Sequence, residues 1–389
     1  MAIAIETAGL SETQRQIVEL AREFARTRIE PHAAEWDRTK HFPRDVIDEL
    51  GRLGFLGMVT PEEEDGMGLD AVTYLLALEG LAAADASIAV SVAIHNAIPT
   101  TMLVRHGSRA QKDRWLKPMA RGELLAGFAL SEPGSGSDAG SLSAQAVRDG
   151  ADWLLSGAKA WATNGGTADV MMIMVRTDRP GARRGAKGIS TFIVPTDAVG
   201  YRPGKPEDKL GLCASNTVAI ALEDVRLPAE QLLGEEGQGF VYAMEGLDVG
   251  RLGIAIQAVG IARRALEHAL AYCAERRQFG RPLREFQAVQ FKLADMATRI
   301  EGARALAHAV AARKDRGEEI TMQASMAKLF ASETAMWVTT QAVQLFGGYG
   351  YMRDFPVEKL FRDAKVTEIY EGTSEIQRIV IARDLYRGA

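Results

Sequence analysis

The spacing of hydrophobic and polar residues changes character twice along this chain. Ser11 and Gln14 have the spacing of a helix-capping box, ahead of a long amphipathic run that predicts a helix reaching about Trp36. Pro43 stands at the favoured first-turn position of a second helix. In the middle of the chain, residues 170–175, 189–194 and 217–222 are short apolar or alternating runs bounded by turn residues, which predicts strands. Residues 179–188, rich in glycine and basic side chains, predict a loop. Helical spacing then returns. Leu283, Phe286, Val289, Leu293, Met296 and Ile300 recur at steps of three and four, and Leu252, Ile256, Val259 and Leu266 form a second such stripe. Several helices of this kind joined by short turns predict a bundle.

Proline follows the same division. Pro133, Pro180, Pro195, Pro203, Pro206 and Pro228 crowd into residues 126–232, and only Pro282 and Pro356 come after them. Proline interrupts helices, so the chain divides into a helical domain at 1–125, a central β-domain at 126–232 and a helical bundle at 233–389. A length of 389 residues also exceeds one typical core.

Composition narrows the function. With 46 Lys and Arg against 51 Asp and Glu, the net charge of −5 gives no electrostatic footprint for nucleic acid. A polyanionic ligand must therefore be held by a few local arginines or by helix N-termini. Cys213 and Cys273 form no CxxC motif, which argues against a disulfide scaffold and a cysteine-rich zinc site. The first residues lack a basic segment followed by a long apolar one, and the stretches 86–94 and 253–262 fall short of the roughly 18 residues of a membrane span. A cytoplasmic protein without a membrane span is expected.

Several segments carry candidate chemistry. Gly134, Gly136 and Ala139 formally satisfy the dinucleotide-binding G-x-G-x-x-G/A pattern. A turn and a strand are predicted after them, where that fold needs a helix, and Lys159 stands where it needs an acid, so the reading is rejected. What remains is a Gly/Ser loop suited to an anionic or heteroaromatic ligand, or a plain surface turn. Trp161 ends a predicted strand and Asn164-Gly165 is a tight-turn signal. Arg276, Arg277 and Gly280 read as a helix C-terminus with a glycine cap. Gly347, Gly348 and Gly350 exceed what a cap requires and permit close backbone approach. Ser374 with Gln377 has capping-box spacing, so a last helix is predicted from there to about Tyr386. Glu371 stands just before it, as a carboxylate near a helix dipole or as a desolvated general base. No triad motif and no H-E-x-x-H supports a hydrolase or a zinc enzyme.

Taken together, these segments resemble the acyl-CoA dehydrogenase family over essentially the whole chain. The resemblance rests on residues 129–141, on 161–166, on Arg276, Phe279 and Gly280, on Gln344, Gly347, Gly348, Gly350 and Tyr351 followed by Asp354, Lys359 and Asp363, and on Tyr370 to Thr373. It implies a mostly α fold with a β-barrel-like middle domain, a C-terminal four-helix bundle and noncovalent FAD at the junction. Phe128, Leu130, Ser131, Trp161 and Thr163 match positions around the flavin ring. Arg276, Gln278, Phe279, Gln287, Gln344 and Gly348 match positions where a neighbouring subunit closes over the pyrophosphate and adenosine. Thr373 and Glu375 match cofactor contacts at the last helix. Ser137 matches a ligand-facing position shared by cofactor and substrate, and Asp248, Arg251, Gly372 and Arg383 match acyl-CoA contacts.

Glu371 matches the catalytic base, which removes the α-proton of a thioester while flavin N5 takes the β-hydride, giving a trans-2-enoyl-CoA. Some family members carry their base immediately before the position of Arg251; here that residue is Gly250. The resemblance further implies an electron-transfer flavoprotein as acceptor, a homotetramer, and a short straight-chain or 2-methyl-branched acyl-CoA. His95 is a candidate for the acyl pocket or simply a packed histidine. An acyl-CoA oxidase, a dehydrogenase of carrier-protein thioesters and a noncatalytic flavin-binding relative remain alternatives.

Overall fold

The computed structural model describes residues 9–178 and 185–387. Residues 179–184 of the predicted basic loop lie outside them. The first third is helical: α1 (Glu12–Phe24), α2 (Ala33–Thr39), α3 (Arg44–Arg52), α4 (Ala71–Ala84), α5 (Ala86–His106) and the short α6 (Arg109–Gln111) and α7 (Lys117–Ala120). The capping box forms in both directions. Ser11 Oγ accepts the Gln14 N–H at 3.2 Å, and Gln14 Oε1 accepts the Ser11 N–H at 3.1 Å. The helix does not run unbroken to Trp36. It widens into a π-helical turn at Ala25–Ile29, and α2 restarts beyond Pro31, which cannot continue a helix hydrogen-bond ladder. Pro43 sits one residue outside α3, at its cap.

Helix α5 corrects the expectation drawn from residues 86–94. At 21 residues and mean hydropathy 1.4, it is long and apolar enough to cross a membrane by length and composition, yet 89% of that window is buried inside the protein. It is a core helix, capped by Asp85, whose Oδ1 accepts the Ser87 N–H at 2.7 Å.

The middle third is one curled sheet of β1 (Ala126–Ala129), β2 (Gln145–Asp149), β3 (Asp152–Thr163), β4 (Val170–Arg176), β5 (Ile189–Pro195), β6 (Tyr201–Pro203) and β7 (Thr217–Pro228). Its order is β1-β4-β2-β3-β7-β6, with β5 also paired to β4. Strand β4 runs parallel to β1 and antiparallel to β5. Its apolar run is continuous because both faces are covered. Met171, Ile173 and Val175 join Trp153 and Phe192 inside the sheet's own core, while Val170, Met172 and Met174 face a second core shared with α5 and the start of the next helix.

The last third comprises α8 (Gly239–Glu275), α9 (Gln287–Asp315), α10 (Thr321–Phe346), α11 (Val357–Val366) and α12 (Ser374–Arg387). Met296 and Ile300 are buried as predicted, whereas Leu283 lies in a separate 3-10 turn before α9. Helix α8 packs on α10 on one side and on α4 and α5 on the other, so one core joins the first and last thirds. A buried charge cluster pins this junction. Lys359 of α11 reaches Asp85 at 3.1 Å and Asp363 at 2.6 Å, and Asp363 accepts the Leu212 N–H at 2.6 Å.

Candidate active site

The link from α11 to α12 crosses the seam between α8 and α10. The Tyr370 N–H bonds the Val366 carbonyl at 3.0 Å, and the Ser374 N–H bonds that of Glu368 at 2.9 Å. Between these ties, Glu371 (φ 51°) and Gly372 (φ 91°) are both left-handed. Glycine accepts this freely, whereas for glutamate it costs on the order of 1 kcal/mol. The turn aims the carboxylate at α8. A Cβ on Gly250 would stand 2.2 Å from Glu371 Oε2, so the glycine provides the space the carboxylate fills.

Glu371 Oε2 is shielded from solvent and has no hydrogen-bond partner among the described residues. Burial pushes the carboxyl up to about 7, although Lys328 and Arg251 pull the other way. Both cations are engaged elsewhere. Lys328 Nζ donates to the Gly372 carbonyl at 2.8 Å. Arg251 Nη1 donates to Asp248 at 2.6 Å, and the other oxygen of Asp248 accepts from Thr321 Oγ1 at 2.5 Å. Tyr370 Oη donates to Gln257. A shielded carboxylate that titrates near neutrality can take up a proton as a general base.

The start of α12 differs from the predicted capping box. Thr373 Oγ1 accepts the Ile376 N–H at 3.3 Å, placing the cap one residue earlier. Gln377 turns back instead, donating to the carbonyls of Glu371 at 3.1 Å and Gly372 at 2.8 Å. Glu375 is exposed in the first turn. Arg383, farther along α12, is close enough for its charge to act on Arg251.

A second group gathers at the sheet edge. Phe128 lies in β1, Leu130 and Ser131 follow it, and Trp161 and Thr163 end β3. The Ala160 N–H bonds the Ser131 carbonyl at 2.9 Å, so the two segments run side by side. Trp161 adopts φ 55° and is 59% exposed, beside half-buried Phe128 and Leu130. Open space surrounds Gly134 and Gly136 in the adjoining loop, where Ser137 is exposed. An exposed indole, apolar neighbours, hydroxyls and open glycine backbone fit a planar heteroaromatic group such as a flavin. The loop is anchored from below. Buried Lys159 donates to Glu132 at 2.7 Å and to the Leu130 carbonyl at 3.2 Å, and Glu132 accepts the N–H groups of Ser143 at 2.6 Å and Ala144 at 3.0 Å.

A third group stands apart. After α8 the chain forms a hairpin of β8 (Arg277–Gln278) and β9 (Arg281–Pro282), turned at Phe279 (φ 50°) and Gly280 (φ 82°). Gly280 therefore serves a tight hairpin turn, which needs two left-handed residues, and does not cap the helix. Phe279 is 93% exposed, and Gln278, Gln287, Gln344 and Gly348 are exposed as well. The Arg276 guanidinium lies 5.5 Å from the Tyr349 ring, and Tyr272 stacks on Phe346 at 4.0 Å, so the ends of α8 and α10 share this face. Among the described residues, no hydrogen bond or ring contact links it to Trp161 or Glu371.

His95 is fully buried, accepts the Ala126 N–H at 3.0 Å and is pushed by burial down to about 4, the state of a packed histidine. Lys328 and Gln257 escaped the sequence reading, as did the anchoring roles of Gln377, Glu132 and Lys159. For the two lysines a signal existed, a lone charge within an otherwise apolar or small-residue stretch.

Comparison with known proteins identifies the family. Three family profiles match in order: the acyl-CoA dehydrogenase N-terminal domain at 11–123, the middle domain at 127–225 and the C-terminal domain at 237–386. The mitochondrial short-chain specific acyl-CoA dehydrogenase of Mus musculus is 46% identical over 382 residues, covering 98% of this chain and 92% of its own. The solved butyryl-CoA dehydrogenase of Megasphaera elsdenii superposes with TM-score 0.95 at 41% identity, over 97% of this chain and 99% of that one. A structure described under the electron transferring flavoprotein of Acidaminococcus fermentans matches with TM-score 0.95 at 44% identity, over the same shares. The chain belongs to the acyl-CoA dehydrogenase family, FAD-dependent oxidoreductases that dehydrogenate acyl-CoA thioesters.

Proposed function

We propose that the chain oxidises a short straight-chain acyl-CoA to its trans-2-enoyl-CoA, with Glu371 as the base that removes the α-proton. The observation that carries this reading is the state of the carboxylate: its Oε2 shielded and without a hydrogen-bond partner among the described residues, and the group pushed up to about 7. The α-hydrogen of a thioester is a weak acid, so its removal needs a base tuned near neutral pH and a donor for the enolate oxygen. The Glu371 N–H is the protein's donor in this reading. FAD, when bound, supplies the acceptor for the β-hydride. Gln377 and Lys328 hold the turn that carries Glu371, and the surrounding helices keep water from its Oε2.

In the same reading, Phe128, Leu130, Ser131, Trp161 and Thr163 hold the flavin ring, while Thr373, Glu375 and Ser137 make further ligand contacts. Asp248, Arg251, Gly372 and Arg383 meet the acyl-CoA. Arg276, Gln278, Phe279, Gln287, Gln344 and Gly348 close over the FAD of a neighbouring subunit in a homotetramer. This role is supported by the exposure of all of them but half-buried Arg276. Domain limits of 1–125, 126–232 and 233–389 are supported by the change from helices to strands and back. Short straight chains are favoured over 2-methyl-branched ones because the similar enzymes are named for short-chain and butyryl substrates. An electron-transfer flavoprotein as acceptor draws support from the Acidaminococcus match. Two free cysteines accord with a cytoplasmic setting.

The test is anaerobic flavin bleaching by butyryl-CoA. The wild type should bleach, and E371Q should bind FAD but stay yellow. Bleaching of E371Q at the wild-type rate would contradict the reading.

A further inference from the structure

Lys328 is a charge that general-base chemistry does not itself require. It lies in α10 and is fully buried, as are Ala324, Ala327 and Ala331 of the same helix. Among the described residues it forms no ion pair. Its one hydrogen bond goes to the carbonyl of Gly372, the second member of the left-handed pair that presents Glu371. Gln377 donates to the same carbonyl, also at 2.8 Å. The carbonyl is thus already served by a neutral donor, and an ammonium beside it does something that a second amide could not. It places a positive charge against the residue after Glu371, where it acts on a carboxyl that burial drives toward its protonated form.

Other charges around Glu371 are paired, although buried Arg251 Nε has no hydrogen-bond partner among the described residues. Arg251 and Asp248 of α8 pair with each other, and Asp248 is further held by Thr321. Arg383 of α12 acts on Arg251 and is itself bonded to Asp384 at 2.9 Å. Tyr74 of α4 contributes a buried phenol, and Tyr370 is bonded to Gln257. Glu368 and Glu375 act on Lys328 and favour its charged form. Burial pushes Lys328 down to about 8, and the Glu371 carboxylate favours its charged form.

Resting on the reading of Glu371 as the base, we propose that Lys328 is a positioning residue for it. The ammonium pins the Gly372 carbonyl and so the turn, and its charge keeps the neighbouring carboxylate ionised in a site that would otherwise protonate it. A merely structural lysine would serve the first purpose and not the second.

The experiment compares wild type, K328M and K328R as FAD-loaded enzymes. One readout is the pH profile of anaerobic flavin reduction by butyryl-CoA. The other is independent of turnover: infrared titration of the carboxylic-acid stretch, assigned by its loss in E371Q. In K328M both midpoints should move to higher pH by about one unit, and in K328R they should return to within about 0.3 unit of wild type. K328M that retains FAD with both midpoints unmoved overturns the proposal. If K328M loses FAD, K328Q, which keeps a donor for the carbonyl without the charge, carries the same prediction and the same refutation. Flavin reduction by E371Q at the wild-type rate would instead remove the base reading, while the infrared midpoints still decide whether Lys328 governs Glu371.

Discussion

Two glutamates on the same helical scaffold, Glu79 fully buried and Glu371 half-buried with its Oε2 shielded, meet two cations each, with opposite results. Glu79 in α4 accepts hydrogen bonds from Arg304 at 2.8 and 2.9 Å and from Arg263 at 2.8 Å. Burial alone would raise its proton affinity, but these contacts win and hold it below the usual carboxylate range. Glu371 has Lys328 and Arg251 nearby, yet no described donor reaches its Oε2, and burial wins, at about 7. Composition is nearly the same in both places. What differs is where the donors are spent: Arg304 and Arg263 on the carboxylate, Lys328 on a carbonyl, and Arg251 on Asp248. A buried carboxylate becomes an anchor when its donors reach it and a base when they are diverted.

The largest expected effect sets the two apart in rate. E371Q should reduce flavin about 10²–10⁴ times more slowly in anaerobic stopped flow, the usual contribution of a general base, with FAD retained. E79Q should do the reverse. It leaves Arg304 and Arg263 buried without their carboxylate, so denaturant titration should show a loss of about 3–5 kcal/mol, while the rate per bound flavin stays within about twofold.

Next is the pH dependence of stability, where the two residues carry opposite signs. The folded value of Glu371 is raised, so its contribution is present below the ordinary carboxylate range and is lost as pH rises through about 7. Wild type should therefore fall relative to E371Q by about 3 kcal/mol between roughly pH 5 and 8. The folded value of Glu79 is lowered, so its contribution is present above the unfolded value and is lost as pH falls through the folded one. Urea melts of each variant beside wild type at several pH values will show whether the slopes oppose. The smallest effect concerns space. A Cβ at Gly250 would meet Glu371 Oε2 at 2.2 Å, so G250A should displace the base and slow reduction by about 10²-fold or less, with FAD absorbance unchanged.

The sequence made much of this legible, and for physical reasons. Strands β4 and β5 and the first half of β7 were readable because their apolar runs are short, and α9 from Val289 onward because its stripe holds one period. Glu371 was readable as the carboxylate beside a glycine ahead of a predicted helix, and Gly250, through the family resemblance, as the absence of a rival base; that Gly250 makes room for the carboxylate was not. The contrast between Glu371 and Glu79 was not, because it depends on which oxygen a distant arginine or lysine reaches. Lys328 and Arg251 lie far from Glu371 in sequence and meet it only through the packing of α8 against α10. The cap at Thr373 and the hairpin turn at Phe279 were hidden for another reason. Neighbouring residues offered equally good caps, and the backbone geometry chose between them.

The central claim, that diverted donors make Glu371 the base, is tested most directly by the pH profile of flavin reduction by butyryl-CoA in the anaerobic wild-type enzyme. The rate should rise with pH along a limb centred near 7, and that limb should vanish in E371Q together with nearly all of the rate. A wild-type rate that stays flat through neutrality, or an E371Q enzyme that keeps both limb and rate, would contradict it.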